Sequence, residues 1–216
     1  MKFGLKQTLI FGSALLLVSI FLFIRVIQYE PLFPNRDGGE KSSGSSQQIT
    51  IPIYEEDPII GDKKAGITVI AFEDFGCAAC EQASTILDEL IKEYPKKIKV
   101  IWKGLPVTEF PYPSEDANLY GFCAYQQQKF NEYKNFAFTN GNNLSPIILN
   151  IIAEEIELNK SKLGECLNSI EATRYIEQTK QLAQILNIQS VPTFFVDNKQ
   201  IQNPGSIEGW KILLNI

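Results

Sequence analysis

Residues 67–80 read ITVIAFEDFGCAAC, and the fold turns on them. Ile67 to Phe72 is a near-continuous apolar run, the pattern of a strand buried on both faces of a sheet. From about Cys77 to Tyr94 the pattern becomes helical. Ala83, Ile86, Leu87, Leu90 and Ile91 share one face, and Pro95 stops the helix. Ile98 to Trp102 is another short apolar strand. Strand, helix and strand in this order form a βαβ unit with two parallel strands. Cys77 and Cys80 therefore stand where a buried strand turns into a helix. The free amides and the dipole of a helix start favour a thiolate there. The first cysteine of such a pair is exposed and nucleophilic. The second lies one turn in and resolves a mixed disulfide by attacking the first.

Towards the carboxy terminus, residues 114–187 read as helices without strands. Leu119, Phe122, Cys123 and Gln126 keep a helical period, and Ser145-Pro146 has the form of an N-cap followed by an N1 proline. Ala172 to Leu186 is amphipathic, with Ile176, Leu182, Ile185 and Leu186 expected inward. Val191-Pro192 then precedes a strand, Thr193 to Val196. Asp197-Asn198 is a turn, Lys199 to Gln202 a hairpin partner, and Ser206 to Leu214 a final helix capped by Ser206. The order βαβ, helical block, ββα is that of an α/β thioredoxin fold with an inserted helical domain. A proline just before a strand is a candidate for a cis bond. Beside a CxxC, such a bond leaves backbone groups free to pair with an extended substrate.

Towards the amino terminus, Ile49 to Tyr54 alternates apolar and polar, and Pro52 marks it as an edge strand. Asn35 to Gln48 is half Gly and Ser, a flexible coil whose 14 residues span roughly 20 Å. Thr8 to Ile24 is free of charge and long enough to cross a bilayer. Lys2 and Lys6 precede it, so the amino terminus is expected on the cytoplasmic side. Residues 25–37 contain no Ala, Gly or Ser for a cleavage site, which favours an uncleaved signal anchor over a cleaved signal peptide. The expected organisation is a transmembrane anchor at 1–27, a linker and possible edge strand at 28–56, and a domain at 57–216 with its helical insertion at about 108–187. The domain then lies outside the cytoplasm, held at the cell membrane by a single pass.

The 216 residues include four cysteines and no histidine. No histidine means no Ser–His–Asp or Cys–His catalysis, no histidine-ligated zinc and no imidazole switch. Net charge is −5, and Lys96, Lys97, Lys99 and Lys103 form the main basic cluster, expected as a solvated rim. Nucleic-acid binding is disfavoured. A zinc ribbon would need a second CxxC or nearby histidines, so Cys77 and Cys80 read as a redox pair, with no metal and no cofactor expected. Four cysteines allow three pairings. In an oxidising compartment Cys123 and Cys166 most simply pair with each other as a structural bridge. The rival reading is a second redox pair that relays electrons.

Three stretches, DPIIGDKKAGITVIAFEDFGCAAC, GFCAYQQQKFNEYKNFAF and QLAQILNIQSVPTFFVDNKQI, resemble the DsbA-like thiol–disulfide oxidoreductases over roughly residues 57–214. The resemblance implies a thioredoxin fold with a helical insertion, acting outside the cytoplasmic membrane. It implies that Val191-Pro192 is the cis-proline dipeptide that meets substrate. Cysteines at the places of Cys123 and Cys166 in some relatives support a bridge there. Two departures stand out. The histidine that precedes the second cysteine in the best-known members is Ala79 here, so Cys77 has a weaker hold on its charge. The buried acid usual six residues before the first cysteine is Ala71. Glu73, two residues on, shares its strand face and is the candidate proton acceptor for Cys80; a solvent-facing glutamate is the alternative reading.

The leading expectation is an anchored oxidase that introduces disulfides into reduced exported proteins and is reoxidised by a membrane redox partner. A reductase or isomerase would use the same residues. A binding module on a thioredoxin scaffold would need neither cysteine.

Overall fold

The computed structural model describes Thr50 to Ile216, together with Ser19 and Phe21. The expected anchor and most of the linker lie outside the described residues. Among those that are described, no helix is long and apolar enough to cross a membrane.

The elements run β1 (Ile59–Gly61), β2 (Ile67–Glu73), α1 (Ala78–Glu93), β3 (Ile98–Gly104), α2 (Glu115–Gln126), α3 (Phe130–Thr139), α4 (Pro146–Glu155), α5 (Lys160–Leu167), α6 (Ile170–Ile185), β4 (Thr193–Val196), β5 (Lys199–Ile201) and α7 (Ile207–Leu214). The sheet order is β1-β3-β2-β4-β5. β2 and β3 are parallel, and the other pairs are antiparallel. This is the expected thioredoxin fold, with helices α2 to α6 inserted between β3 and β4.

The strand period sorts the core into two layers. Val69, Ala71, Val100, Trp102 and Phe194 face α1, α7 and the inserted helices. Ile70, Phe72, Ile101 and Phe195 face the other way, onto Ile51, Leu105, Leu182 and Ala183. α1 buries Cys80, Ala83, Ser84, Leu87 and Leu90, one stripe at helical spacing, and ends at Tyr94 just before Pro95. Truncating a side chain as enclosed as Leu87 or Leu90 costs roughly 2–5 kcal/mol. Asp197 and Asn198 both have positive φ (50° and 59°), as a tight hairpin turn requires, and they join β4 to β5.

Three expectations need correction. Thr50 to Tyr54 is not a strand; the edge strand is β1. Pro52 has no N–H, Ile51 N–H donates to Asn198 Oδ1, and Tyr54 N–H donates to Asp57 Oδ2, so three ladder donors are diverted or lacking among residues 51–54. Lys103 is not on a solvated rim but fully buried. The β3 register turns it onto Asp57 and the Pro52 carbonyl, with its ammonium 4.3 Å from the Tyr54 ring centroid. Ile185 is exposed, because α6 buries the stripe Ala172, Tyr175, Ile176, Thr179, Leu182 and Ala183.

Candidate active site

β2 carries the chain into a tight turn, Asp74 to Cys77, whose backbone closes with Cys77 N–H on the Asp74 carbonyl at 3.1 Å. Phe75 is buried in this turn. It stacks on Trp102 at 4.8 Å between centroids and meets Tyr133 and Phe138 edge-on, which ties the turn to the inserted domain. Gly141 packs so close to the Phe75 carbonyl that a Cβ would sit 2.8 Å from that oxygen. The loop between α3 and α4 therefore borders the turn that carries Cys77.

Cys77 is the N-cap of α1. Its Sγ accepts from Cys80 N–H at 3.2 Å, and it is half-buried, whereas Cys80 is fully buried. Hydrogen bonding from the Cys80 thiol, helped by the backbone amides of the helix start, draws the Cys77 thiol down to about 7. Burial, reinforced by the shared hydrogen bond, pushes Cys80 far up. Two thiols three residues apart are thus split into a half-buried one whose proton is held loosely and a buried one whose proton is held tightly.

Val191 and Pro192 lie across the site, and the bond between them is cis. The Val191 carbonyl is 3.7 Å from Cys77 Sγ. β4 begins at the next residue, so this backbone borders the Cys77 sulfur.

Glu73 ends β2 with 1% of its surface exposed, so it is not the solvent-facing glutamate of the alternative reading. Burial raises its carboxyl to about 8, opposed by the charge of Lys134 and by the Trp102 indole. It in turn raises Cys80 through charge. Lys134, on α3, is buried with its ammonium on Ser84 Oγ at 2.9 Å and Asp88 Oδ2 at 2.6 Å. Nothing in the local sequence marks Lys134, because a lysine on an amphipathic helix reads as surface.

Cys123 and Cys166 form a disulfide between α2 and α5. Among the described residues no cluster of three or more His, Cys, Asp or Glu could hold a metal ion.

A thioredoxin sheet with a CxxC dithiol at the start of α1 defines a class, the thioredoxin-fold proteins with a thiol–disulfide exchange site. The chain belongs to the thioredoxin family: the family model described as Thioredoxin matches residues 54–215. "Probable disulfide bond formation protein D" of Bacillus cereus is 25% identical over 200 residues, covering 87% of each chain. "Na(+)/H(+) antiporter NhaA 3" of Salinispora tropica is 28% identical over 162 residues, 74% of this chain. The chain spans only 24% of that longer protein. Among solved structures, the catalytic domain of Proteus mirabilis ScsC superposes with a TM-score of 0.65 at 20% identity, covering 76% of this chain and 90% of that one.

Proposed function

We propose that this protein is an extracytoplasmic thiol–disulfide oxidoreductase that oxidises exported proteins, tethered to the cell membrane by residues 1–27. The observation that carries the reading is the asymmetry of the two thiols. Cys77 is half-buried with its thiol near 7, and Cys80 is sealed beneath it. A substrate thiolate attacks Cys77 Sγ of the Cys77–Cys80 disulfide, and Cys80 leaves as a thiolate. Glu73, protonated for the most part at neutral pH, supplies the proton that Cys80 takes up. A second substrate thiolate attacks the substrate sulfur of the mixed disulfide, and Cys77 leaves. The substrate loses two electrons to the disulfide, which becomes the dithiol, and a membrane redox partner removes them.

The Cys123–Cys166 bridge supports an oxidising compartment, since such bonds persist outside the cytosol. The similarity to a protein named for disulfide bond formation supports the oxidative direction.

One observation favours a second reading, a reductase or isomerase. A Cys77 thiol near 7 is closer to thioredoxin, at about 7, than to DsbA, at about 3.5. The reduction potential of Cys77–Cys80 against glutathione decides between them. The oxidase requires a value well towards −120 mV, and a value near thioredoxin's roughly −270 mV overturns it in favour of the reductase. The remaining alternative, a binding module, would keep its activity in Cys77→Ser.

A further inference from the structure

We infer that Asp74 is the positioning residue of this site: its side chain holds the loop between β3 and α2 against the nucleophilic turn and so fixes one wall of the path to Cys77. The inference rests on the reading of Cys77 as the nucleophile.

Asp74 is fully buried between Glu73 and Phe75. Its Oδ2 accepts from Val107 N–H at 3.0 Å, Thr108 N–H at 2.8 Å and Ser114 Oγ at 2.9 Å. Its Oδ1 accepts from Asn118 Nδ2 at 3.3 Å and from Gly76 N–H at 3.4 Å. One carboxylate thereby joins the turn before Cys77, the β3–α2 loop and the first turn of α2. The loop closes on itself through Ser114 N–H and the Thr108 carbonyl at 2.9 Å. Thr108 then lies against Gly76: a Cβ at Gly76 would fall 2.6 Å from Thr108 Cβ and Oγ1. Gly76 precedes Cys77, so this threonine packs against the residue next to the sulfur. Val107, Phe110 and Tyr112 stand exposed on the same loop.

The chemistry calls for an acid rather than an amide. Every partner of Asp74 is a neutral donor, and two of them are loop backbone amides sharing one oxygen. Asn at this place keeps one acceptor oxygen and sets an NH2 group against further N–H and O–H donors. Leu105 N–H on the Glu73 carbonyl at 2.8 Å ties the first residue of the loop to β2, and Asp74 ties the residues that follow, Val107 and Thr108, to the turn.

The test compares Asp74→Asn with the wild-type full chain in three measurements. One is disulfide exchange with a cysteine peptide, another is alkylation of reduced Cys77 by iodoacetamide, and the third is amide hydrogen exchange at Val107 and Thr108. We expect peptide exchange to fall roughly tenfold or more, as misplaced reacting groups do. Both amides should lose protection, while the small reagent, which needs no wall, is not slowed. Ser114→Ala, which removes one anchor, should move peptide exchange the same way by less, and it carries the test should Asp74→Asn not fold. Wild-type peptide exchange in both variants overturns the inference. So does retained amide protection, or an equal slowing of iodoacetamide, which would place the effect on the thiol itself. A wild-type protein that fails to exchange with any peptide sinks the thiol–disulfide reading instead, and the amide protection still decides whether Asp74 holds the loop.

Discussion

The indole Nε1 of Trp102 donates a 3.0 Å hydrogen bond to Oε2 of Glu73 on the neighbouring strand. Glu73 Oε1 is buried and has no hydrogen-bond partner among the described residues. A carboxylate satisfied on one oxygen only is poorly stabilised, so the buried group favours its neutral form.

Glu73 therefore links stability to pH. Its folded value of about 8 lies above the ordinary 4.5, so the native state holds a proton that the unfolded chain has lost between those values. The stabilising contribution is complete below about pH 4.5 and is lost as pH rises through 8. Urea unfolding of the oxidised protein, in which neither active-site thiol titrates, should show stability falling over this window by a few kcal/mol, an order-of-magnitude figure. Glu73→Gln should flatten the curve. An equally steep curve in the variant would assign the titration elsewhere.

Reduced Cys77 should react with iodoacetamide along a pH profile with a midpoint near 7. Cys80 should stay unlabelled in the folded protein, because burial raises its thiol. Mass mapping of the labelled peptide checks both points. Cys80→Ser should accumulate a mixed disulfide on Cys77, since nothing remains to resolve it.

Ala79→His restores a donor beside the thiolate at an exposed position of α1. Stabilising the reduced form by one pKa unit makes the disulfide more oxidising by about 30 mV. Equilibration with glutathione should show a shift of that order upwards. An unchanged potential would mean the imidazole does not reach Cys77.

Cys123→Ala/Cys166→Ala removes a bridge across a sequence separation of 43. Chain entropy sets the loss at roughly 4 kcal/mol, an upper figure if the bridge is relaxed. Denaturant midpoints should fall, while exchange per folded molecule holds. A loss of exchange without a loss of stability would revive the electron-relay reading.

Lys103→Met leaves Asp57 as an uncompensated buried acid behind the active-site strand, because the two are fully buried against each other. Removing one partner of such a pair costs roughly 3–5 kcal/mol. Asp57→Asn/Lys103→Met should recover part of that cost. Additive losses in the double variant would show that the two residues are not coupled.

The βαβ unit, the Cys77–Cys80 dithiol at its helix start, the helical insertion and the closing ββα were all legible in the chain itself. Strand alternation, helical spacing and capping are local signals, and they are written into neighbouring residues. The same local rules misplaced Ile185 and Lys103, since a stripe's orientation and a strand's register depend on what packs across them. They also missed Asp74 and Lys134, whose partners lie tens of residues away: Val107, Thr108 and Ser114 for one, Ser84 and Asp88 for the other. By itself the sequence determined which sulfurs could react. Only the tertiary structure decided how far the proton affinities of the two sulfurs part, because burial and converging hydrogen bonds set a group's proton affinity, and both arise when distant segments come together.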